Sequence, residues 1–189
     1  QGTLRVTKVF WGLDDQLAFQ RHFPAINWLT SYSLYLDVAD RWAEKNAGSS
    51  WPKNRRTAMG ILKREAELQE LVRLVGMDSL SPSDRLLLEA ARMVREDFLH
   101  QNAFDDIDTY TSMRKQSLML DVVISFYQMA SDALSKDADL DGILTLPIRE
   151  NISRAKLIAE DKLDAFNQLK KQMAEQFSAL SKEKEDVCR

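Results

Sequence analysis

Two short segments combine aromatic rings with hydrogen-bonding groups outside any regular periodic pattern. Residues 22–29, HFPAINWL, set aromatic side chains on both sides of a proline, and residues 101–104, QNAF, offer two amides, a small residue and a ring. Rings held rigidly in this way suit the stacking of a flat ligand, which is worth about 1–3 kcal/mol per ring, and amides can bond to its edge. Taken singly, each segment favours a packed corner between helices instead.

Other chemistry has little support in the sequence. The six glycines are far apart and none begins a GxxxxGK[ST] motif, so no phosphate-binding loop is expected. His22 and His100 are the only histidines and have no cysteine nearby. We therefore expect no catalytic residue and no metal site in this chain.

The segment DADLDG at residues 137–142 resembles the opening of a calcium-binding loop. That loop requires a bidentate glutamate at its twelfth position, where this chain has Ile148. A solvated turn between helices is the better interpretation.

Charge and hydropathy exclude two classes of partner. The net charge of −3 lacks the basic character of a nucleic-acid-binding domain. No window approaches 18 consecutive apolar residues, so no membrane span is expected. The chain begins QGTLRV, without an initiator methionine or a signal peptide, and we expect it to be part of a longer protein. Cys188, the single cysteine, lies in a polar tail and excludes a structural disulfide.

The scarcity of glycine and proline favours an all-α fold, an antiparallel helical bundle. Residues 3–11 are expected to form a single strand, which must pair with something absent from the chain, fray, or pair with a second copy. Apolar periodicity and capping residues predict helices near 15–22, 31–46, 53–75, 82–100, 108–136, 147–157 and 160–184. Residues 1–30 fit such a bundle poorly and suggest the edge of a neighbouring α/β domain, whereas residues 31–189 form the helical domain.

Five stretches of the sequence resemble one protein family, the catalytic A subunit of V-type and archaeal-type rotary ATPases. They are VTKVFWGLD at 6–14, RHFPAINWLTSYSLYLD at 21–37, QELVRLVGMDSLSPSDR at 69–85, QNAFDDIDTY at 101–110 and LPIRE at 146–150. The resemblance covers residues 3–157 and implies the C-terminal part of that subunit, with the phosphate-binding loop upstream. The predicted strand would then be left over from the α/β nucleotide-binding domain.

A more distant similarity, to the beta subunit of F-type ATP synthases, implies an adenine-binding site. The beta subunit's YPAVDPL segment falls on residues 23–29, so Phe23 would be the stacking ring, with Pro24 beside it. Its FLSQPF segment falls on residues 98–104. The resemblance thus implies an opposite wall made by Gln101, Asn102, Ala103 and Phe104.

The same similarity implies a surface that touches the rotor. The DELSEED loop of the beta subunit falls on residues 78–84, where only the first and last acids are kept. The implied rotor-contact residues are Asp78, Ser79, Leu80, Ser81 and Asp84. Because the acidic patch is sparse, we expect torque to depend on shape and helix rigidity.

The resemblance implies a subunit that hydrolyses or synthesises ATP within a proton- or sodium-translocating complex. It implies ATP or ADP with Mg in the full-length subunit, B subunits and central-stalk subunits as partners, and a cytoplasmic location peripheral to the membrane. This chain is expected to be inactive by itself and to hold no tightly bound cofactor. Residues 4–11 are expected to be disordered, to fold back on the bundle, or to self-associate by pairing between copies. The alternative is a free-standing helical adaptor, which would grip a partner helix through a C-terminal apolar stripe: Leu163, Phe166, Leu169, Met173, Phe177 and Leu180.

Overall fold

The computed structural model describes the backbone of residues 7–187 and the side chains of residues 7–181. This part of the chain is mostly helical with one small sheet, which confirms the predicted fold class. Its strands and α-helices are β1 Val9–Leu13, α1 Asp15–Phe19, β2 Ile26–Ser33, α2 Leu36–Asn46, α3 Trp51–Val75, α4 Pro82–Met93, α5 Met113–Ser135, α6 Leu140–Leu144, α7 Ile148–Ser153 and α8 Ala165–Val187.

The expectation of a single unpaired strand is wrong. β1 pairs antiparallel with β2, with Val9 opposite Ser33 and Leu13 opposite Ile26. A bulge interrupts the register between Phe10 and Gly12, and a Cβ at Gly12 would collide with the hydroxyl of Thr30. The second strand occupies the residues predicted to be irregular and to begin a helix, so that helix, α2, starts at Leu36 rather than at residue 31.

Pairing within the chain removes the reason for expecting self-association through residues 4–11. The expectation rested on an unsatisfied strand, yet β1 pairs with β2 at Val9, Phe10, Gly12 and Leu13. Lys8 also accepts a hydrogen bond on its carbonyl from the Leu34 N–H, at 2.8 Å. Residues 4–6 lie outside the described part of the chain.

The boundaries of the long helices follow from local capping chemistry. α3 has Pro52 in its first turn and ends at Gly76, whose φ of 82° lies in the left-handed region. α4 is capped by Ser81, whose hydroxyl accepts the Asp84 N–H at 3.1 Å. A π-helical turn, Val94–Leu99, continues α4 towards the position where the sequence predicted its end.

The helix predicted from residue 108 begins later, at Met113. Ser112 is its N-cap and accepts the Lys115 N–H at 3.1 Å. Asp105 and Asp108 bond to backbone N–H groups of an irregular loop over residues 100–112. The sequence alone does not distinguish an acid that caps a helix from an acid that caps a loop.

The core is formed mainly by α3, α4, α5 and α8, with α5 at its centre. The apolar stripe of α8 is part of this core, because Phe166, Leu169, Met173 and Phe177 are all buried. The stripe is therefore not available to bind a partner helix. This contradicts the adaptor hypothesis, which needed the stripe to be exposed.

One polar network ties three of the core helices together. Asp121 on α5 accepts a hydrogen bond from the Asn54 amide on α3, at 2.7 Å, and its other oxygen pairs with Lys170 on α8. Asn54 is buried, so its amide depends on this carboxylate as an acceptor. The network fixes the relative rotation of the helices more specifically than apolar packing does.

Replacing Asp121 should destabilise the bundle. Asp121→Ala leaves the buried Asn54 amide without its acceptor, so we expect the free energy of unfolding in urea to fall by about 2 kcal/mol. Asp132→Ala, at an exposed acid on the same helix, is the control and should change it by less than about 0.5 kcal/mol. Equal effects of the two substitutions would contradict a structural role for the network.

Candidate functional site

Asp14 organises the turn that carries Phe23. Its carboxylate accepts the N–H of Gln16 at 2.9 Å, as an N-cap of α1, and the side-chain amide of Asn27 at 2.8 Å. These bonds, led by that from Asn27, lower the pKa of Asp14. The Asp14 N–H donates in turn to the Ala25 carbonyl at 3.0 Å. The turn between α1 and β2 is thus fixed at both ends.

The structure brings the two aromatic segments together. Gln101 donates its backbone N–H to the Phe23 carbonyl at 2.7 Å. Next to it, His22 Nε2 donates to the Arg95 carbonyl at 3.0 Å. Two segments distant in the sequence therefore share one corner of the molecule; their role in ligand binding remains a prediction.

The rings at this corner are open to solvent. Phe23 is 50% exposed and Phe104 is 99% exposed, and Ala103 next to Phe104 is also exposed. Pro24 follows Phe23 through a cis peptide bond and faces a cavity on the bundle side. A ring that is almost fully solvated contributes nothing to packing, so another molecule must account for any energetic role of Phe104.

The two amides of the corner bond mainly within their own loop. Gln101 donates its side-chain N–H to the Asp108 carbonyl at 2.7 Å, and Asn102 accepts the Phe104 N–H on its side-chain oxygen at 3.1 Å. These contacts hold the loop in shape. The sequence predicted that these amides bind the edge of a base. It did not indicate that they also hold the loop in shape.

Asp108 is the residue that sequence reasoning missed at this corner. It is only 3% exposed, and its Oδ2 accepts the Asn102 N–H at 2.7 Å. Asp105 complements it by accepting the N–H groups of Asp108 and Ile107 at 2.9 Å, bonds that lower the Asp105 pKa. The DxxD spacing was present in the sequence, but it fits a helix start equally well.

A buried lysine lies below the loop. Lys115 is fully buried and donates its ammonium to the Lys156 carbonyl at 2.7 Å. Burial lowers its pKa, while the charges of Glu160, Asp108 and Asp105 act in the opposite direction. Glu160 also accepts both the N–H and the hydroxyl of Ser112, each at 2.8 Å. The loop is therefore supported from α5 and from the turn that precedes α8.

Two histidines meet behind Phe23. The rings of His22 and His100 are 5.2 Å apart, and the ring of Trp28 lies 5.7 Å from His22. Burial, followed by the charges of Lys156 and His22, lowers the pKa of His100. The cluster joins the N-terminal segment to the π-helical turn through packing.

The buried carboxylate of Glu65 on α3 pairs with Arg95 of the π-helical turn. Burial raises the pKa of Glu65, and its bonds to Arg95 and Gln69 oppose the rise. The same Arg95 supplies the carbonyl that holds His22. The pair thus orients the π-helical turn, which holds His22 next to the aromatic corner.

The predicted rotor-contact residues lie at the tip of the α3–α4 hairpin. Asp78, Ser79 and Ser81 are exposed, whereas Leu80 and Asp84 are half-buried. The hydroxyl of Ser81, the N-cap of α4, donates to the Asp84 carboxylate at 2.7 Å, so one oxygen of this acid already has a partner within the chain.

Apolar side chains dominate the outer surface of this tip. The exposed apolar side chains at the end of α3 and in the turn beyond it are Leu71, Leu74, Val75 and Met77. Leu74 is 80% exposed. Sequence reasoning, which compared only the acids, did not identify this feature.

Among the residues described, no three His, Cys, Asp or Glu side chains gather in a way that would hold a metal ion. No helix in the described part of the chain is both long and apolar enough to cross a membrane.

Asp97, on the π-helical turn, gives this region a pH dependence. Burial raises its pKa from 3.8 to about 6, and neighbouring Glu96 adds to the rise. The folded chain therefore holds a proton between about pH 4 and pH 6 that the unfolded chain has lost. The contribution of Asp97 to stability therefore falls as the pH rises through this window, by about 2–3 kcal/mol.

Asp97→Asn should remove that fall. We expect the variant to gain stability relative to the original chain as the pH rises from 4 to 6.5, measured by urea unfolding at a series of pH values. Asp106→Asn, at an exposed acid, is the control and should keep the original profile. A parallel profile for the Asp97 variant would contradict the raised pKa.

Comparisons with known proteins now identify the family. Residues 40–144 match the model of the C-terminal domain of V and A type ATP synthase. A V-type ATP synthase alpha chain from Acetivibrio thermocellus is 54% identical over 181 residues, which are 95% of this chain and 31% of that protein. Its counterpart from Clostridioides difficile is 53% identical over 165 residues, 87% of this chain and 28% of that protein.

A solved structure agrees at the level of the fold. It is the ATP synthase subunit NeqB from Nanoarcheaum equitans, with a TM-score of 0.51 and 24% identity over 65% of this chain and 29% of that one. The chain spans about a third of the length of the relatives it matches. The matched family model covers more than half of the chain, which therefore belongs to the family of C-terminal domains of V- and A-type ATP synthases.

Proposed function

We propose that this chain is the C-terminal part of the nucleotide-binding catalytic subunit of a V- or A-type ATP synthase, and that it closes the adenine pocket. The observation that carries this proposal is the hydrogen bond from Gln101 N–H to Phe23 C=O, which sets two exposed aromatic segments at one corner. The relatives named V-type ATP synthase alpha chain support it.

The adenine of ATP or ADP would stack against Phe23, with Pro24 behind that ring. The loop over Gln101, Asn102, Ala103 and Phe104 would form the opposite wall. The exposure of both rings leaves their faces free for a base, and stacking is worth about 1–3 kcal/mol per base. Phosphates and Mg would be bound by other parts of the complete subunit, where ATP is hydrolysed or synthesised.

The hairpin of α3 and α4 would transmit closure of the pocket to the central stalk. Its tip presents the apolar side chains of Leu74, Val75 and Met77 around the acid Asp78, so apolar contact suits this role better than charge does. Partners would be the B subunits and the central-stalk subunits, in a complex at the cytoplasmic side of the membrane.

Removal of the stacking ring tests the adenine site. In the assembled complex, Phe23→Ala should weaken ADP binding by about 1–3 kcal/mol, because the stacking surface is lost. Equilibrium titration with a fluorescent ADP analogue measures the effect. Phe19→Ala, at an exposed ring on α1, is the matched control and should leave the affinity unchanged. An unchanged affinity in the Phe23 variant would remove this residue from the site.

Substitutions at the hairpin tip separate apolar from charged contact with the stalk. Leu74→Ser should lower the affinity of the assembled catalytic subcomplex for purified central-stalk subunits about tenfold, because burying a leucine is worth about 1.5–3 kcal/mol. Asp78→Asn, which keeps the size of the side chain, should change it less than twofold. A larger effect of Asp78→Asn would favour an acidic contact instead.

A further inference from the structure

A cavity of about 390 Å³ lies behind the aromatic corner. It is bounded by the end of the turn that carries Pro24, by β2, by α3, by the π-helical turn and by α5. Protein cores are packed like organic crystals, with few voids larger than a water molecule. A space of this size is instead within the range of small-molecule pockets, about 300–1,000 Å³.

Aromatic rings form much of the cavity wall. Trp28 on β2, Trp51 at the start of α3 and Phe98 on the π-helical turn all line it. The rings of Trp51 and Phe98 are 6.3 Å apart in an edge-on arrangement. All three side chains are only partly buried, so each retains surface that a ligand could cover.

The polar part of the wall is rich in acceptors. Asp108 lines the cavity, is 97% buried, and uses Oδ2 for the Asn102 N–H, while its Oδ1 accepts no hydrogen bond within the described part of the chain. Gln101 and Gln116 donate their side-chain N–H groups to the carbonyls of Asp108 and Thr111. Their amide oxygens likewise accept no hydrogen bond from any described residue.

The nearby cations have other partners. Arg55 also lines the cavity, but it donates to both oxygens of Asp40, at 3.1 and 2.8 Å. The ammonium of Lys115 donates to the Lys156 carbonyl. Neither cation bonds to Asp108, although Lys115 interacts with it at longer range. The second oxygen of Asp108, Oδ1, is thus free to accept a further hydrogen bond.

We propose that this cavity binds a small aromatic amine in its ammonium form. The ring would lie between Trp28, Trp51 and Phe98, and the ammonium would donate to Asp108. A cation next to tryptophan rings gains further attraction. The site uses neither Phe23 nor Phe104, although Pro24 and Gln101 line it and also belong to the proposed adenine pocket.

Three indoles that differ in one group test the proposal by isothermal titration calorimetry on this chain. Tryptamine carries an ammonium, tryptophol a hydroxyl and indole-3-acetate a carboxylate on similar frames. Tryptamine should bind about tenfold more tightly than tryptophol, because bonds to charged groups are the stronger ones. Indole-3-acetate should not bind. Equal affinities, or no binding of tryptamine, would overturn the proposal.

Asp108→Asn separates the charge from the shape of the cavity. The variant keeps an acceptor for the Asn102 N–H, and we expect both tryptamine and tryptophol to bind with equal affinity. Asp106→Asn, at an exposed acid of the same loop, should keep the tenfold preference. A preference that persists in Asp108→Asn would show that the carboxylate is not the ammonium's partner.

Filling the cavity tests the location independently. Ala58 is buried on its wall, and Ala58→Phe should abolish binding of both tryptamine and tryptophol. Thermal unfolding monitors folding of the variant. Ala58→Leu, a smaller replacement expected to weaken tryptamine binding at least threefold, serves if the larger residue prevents folding. Undiminished binding in a folded variant would place the ligand elsewhere and overturn the proposal.

Discussion

The hydrogen bond between Gln101 N–H and Phe23 C=O is the constraint on which the candidate site depends. Both residues lie in segments that are not helical, and such backbone must find partners outside the helical ladder. The chain solves this with carboxylates: Asp14 for the first segment and Asp105 and Asp108 for the second. Two irregular segments thus become rigid enough to hold aromatic rings in fixed positions.

The bundle stabilises this corner from below by polar contacts that cross between elements. Glu65 on α3 pairs with Arg95, and the carbonyl of Arg95 holds His22. Lys115 on α5 bonds to the Lys156 carbonyl under the loop. Because these groups are buried or half-buried, each bond is strong once made and costly if broken. The position of the corner is therefore determined by the packing of α3 and α5.

Local signals in the sequence predicted the helices well where caps and periodicity agreed. Pro52 and Gly76 predicted the ends of α3 closely. The strand β2 was missed because its partner β1 supplies the pairing, which no local pattern records. The contact between the His22 and His100 rings and the burial of Asp108 are likewise consequences of tertiary structure.

The length of α3 gives the two proposed surfaces a mechanical connection. Its 25 residues span about 37 Å at 1.5 Å per residue. Trp51 at one end packs on Phe98 near the aromatic corner, and Val75 at the other reaches the apolar tip. Since α3 packs on α4 and α5, a closure of the proposed pocket would rotate it as a rigid rod. A rotation of about 5° at the corner displaces the tip by about 3 Å, enough to break or form apolar contacts there.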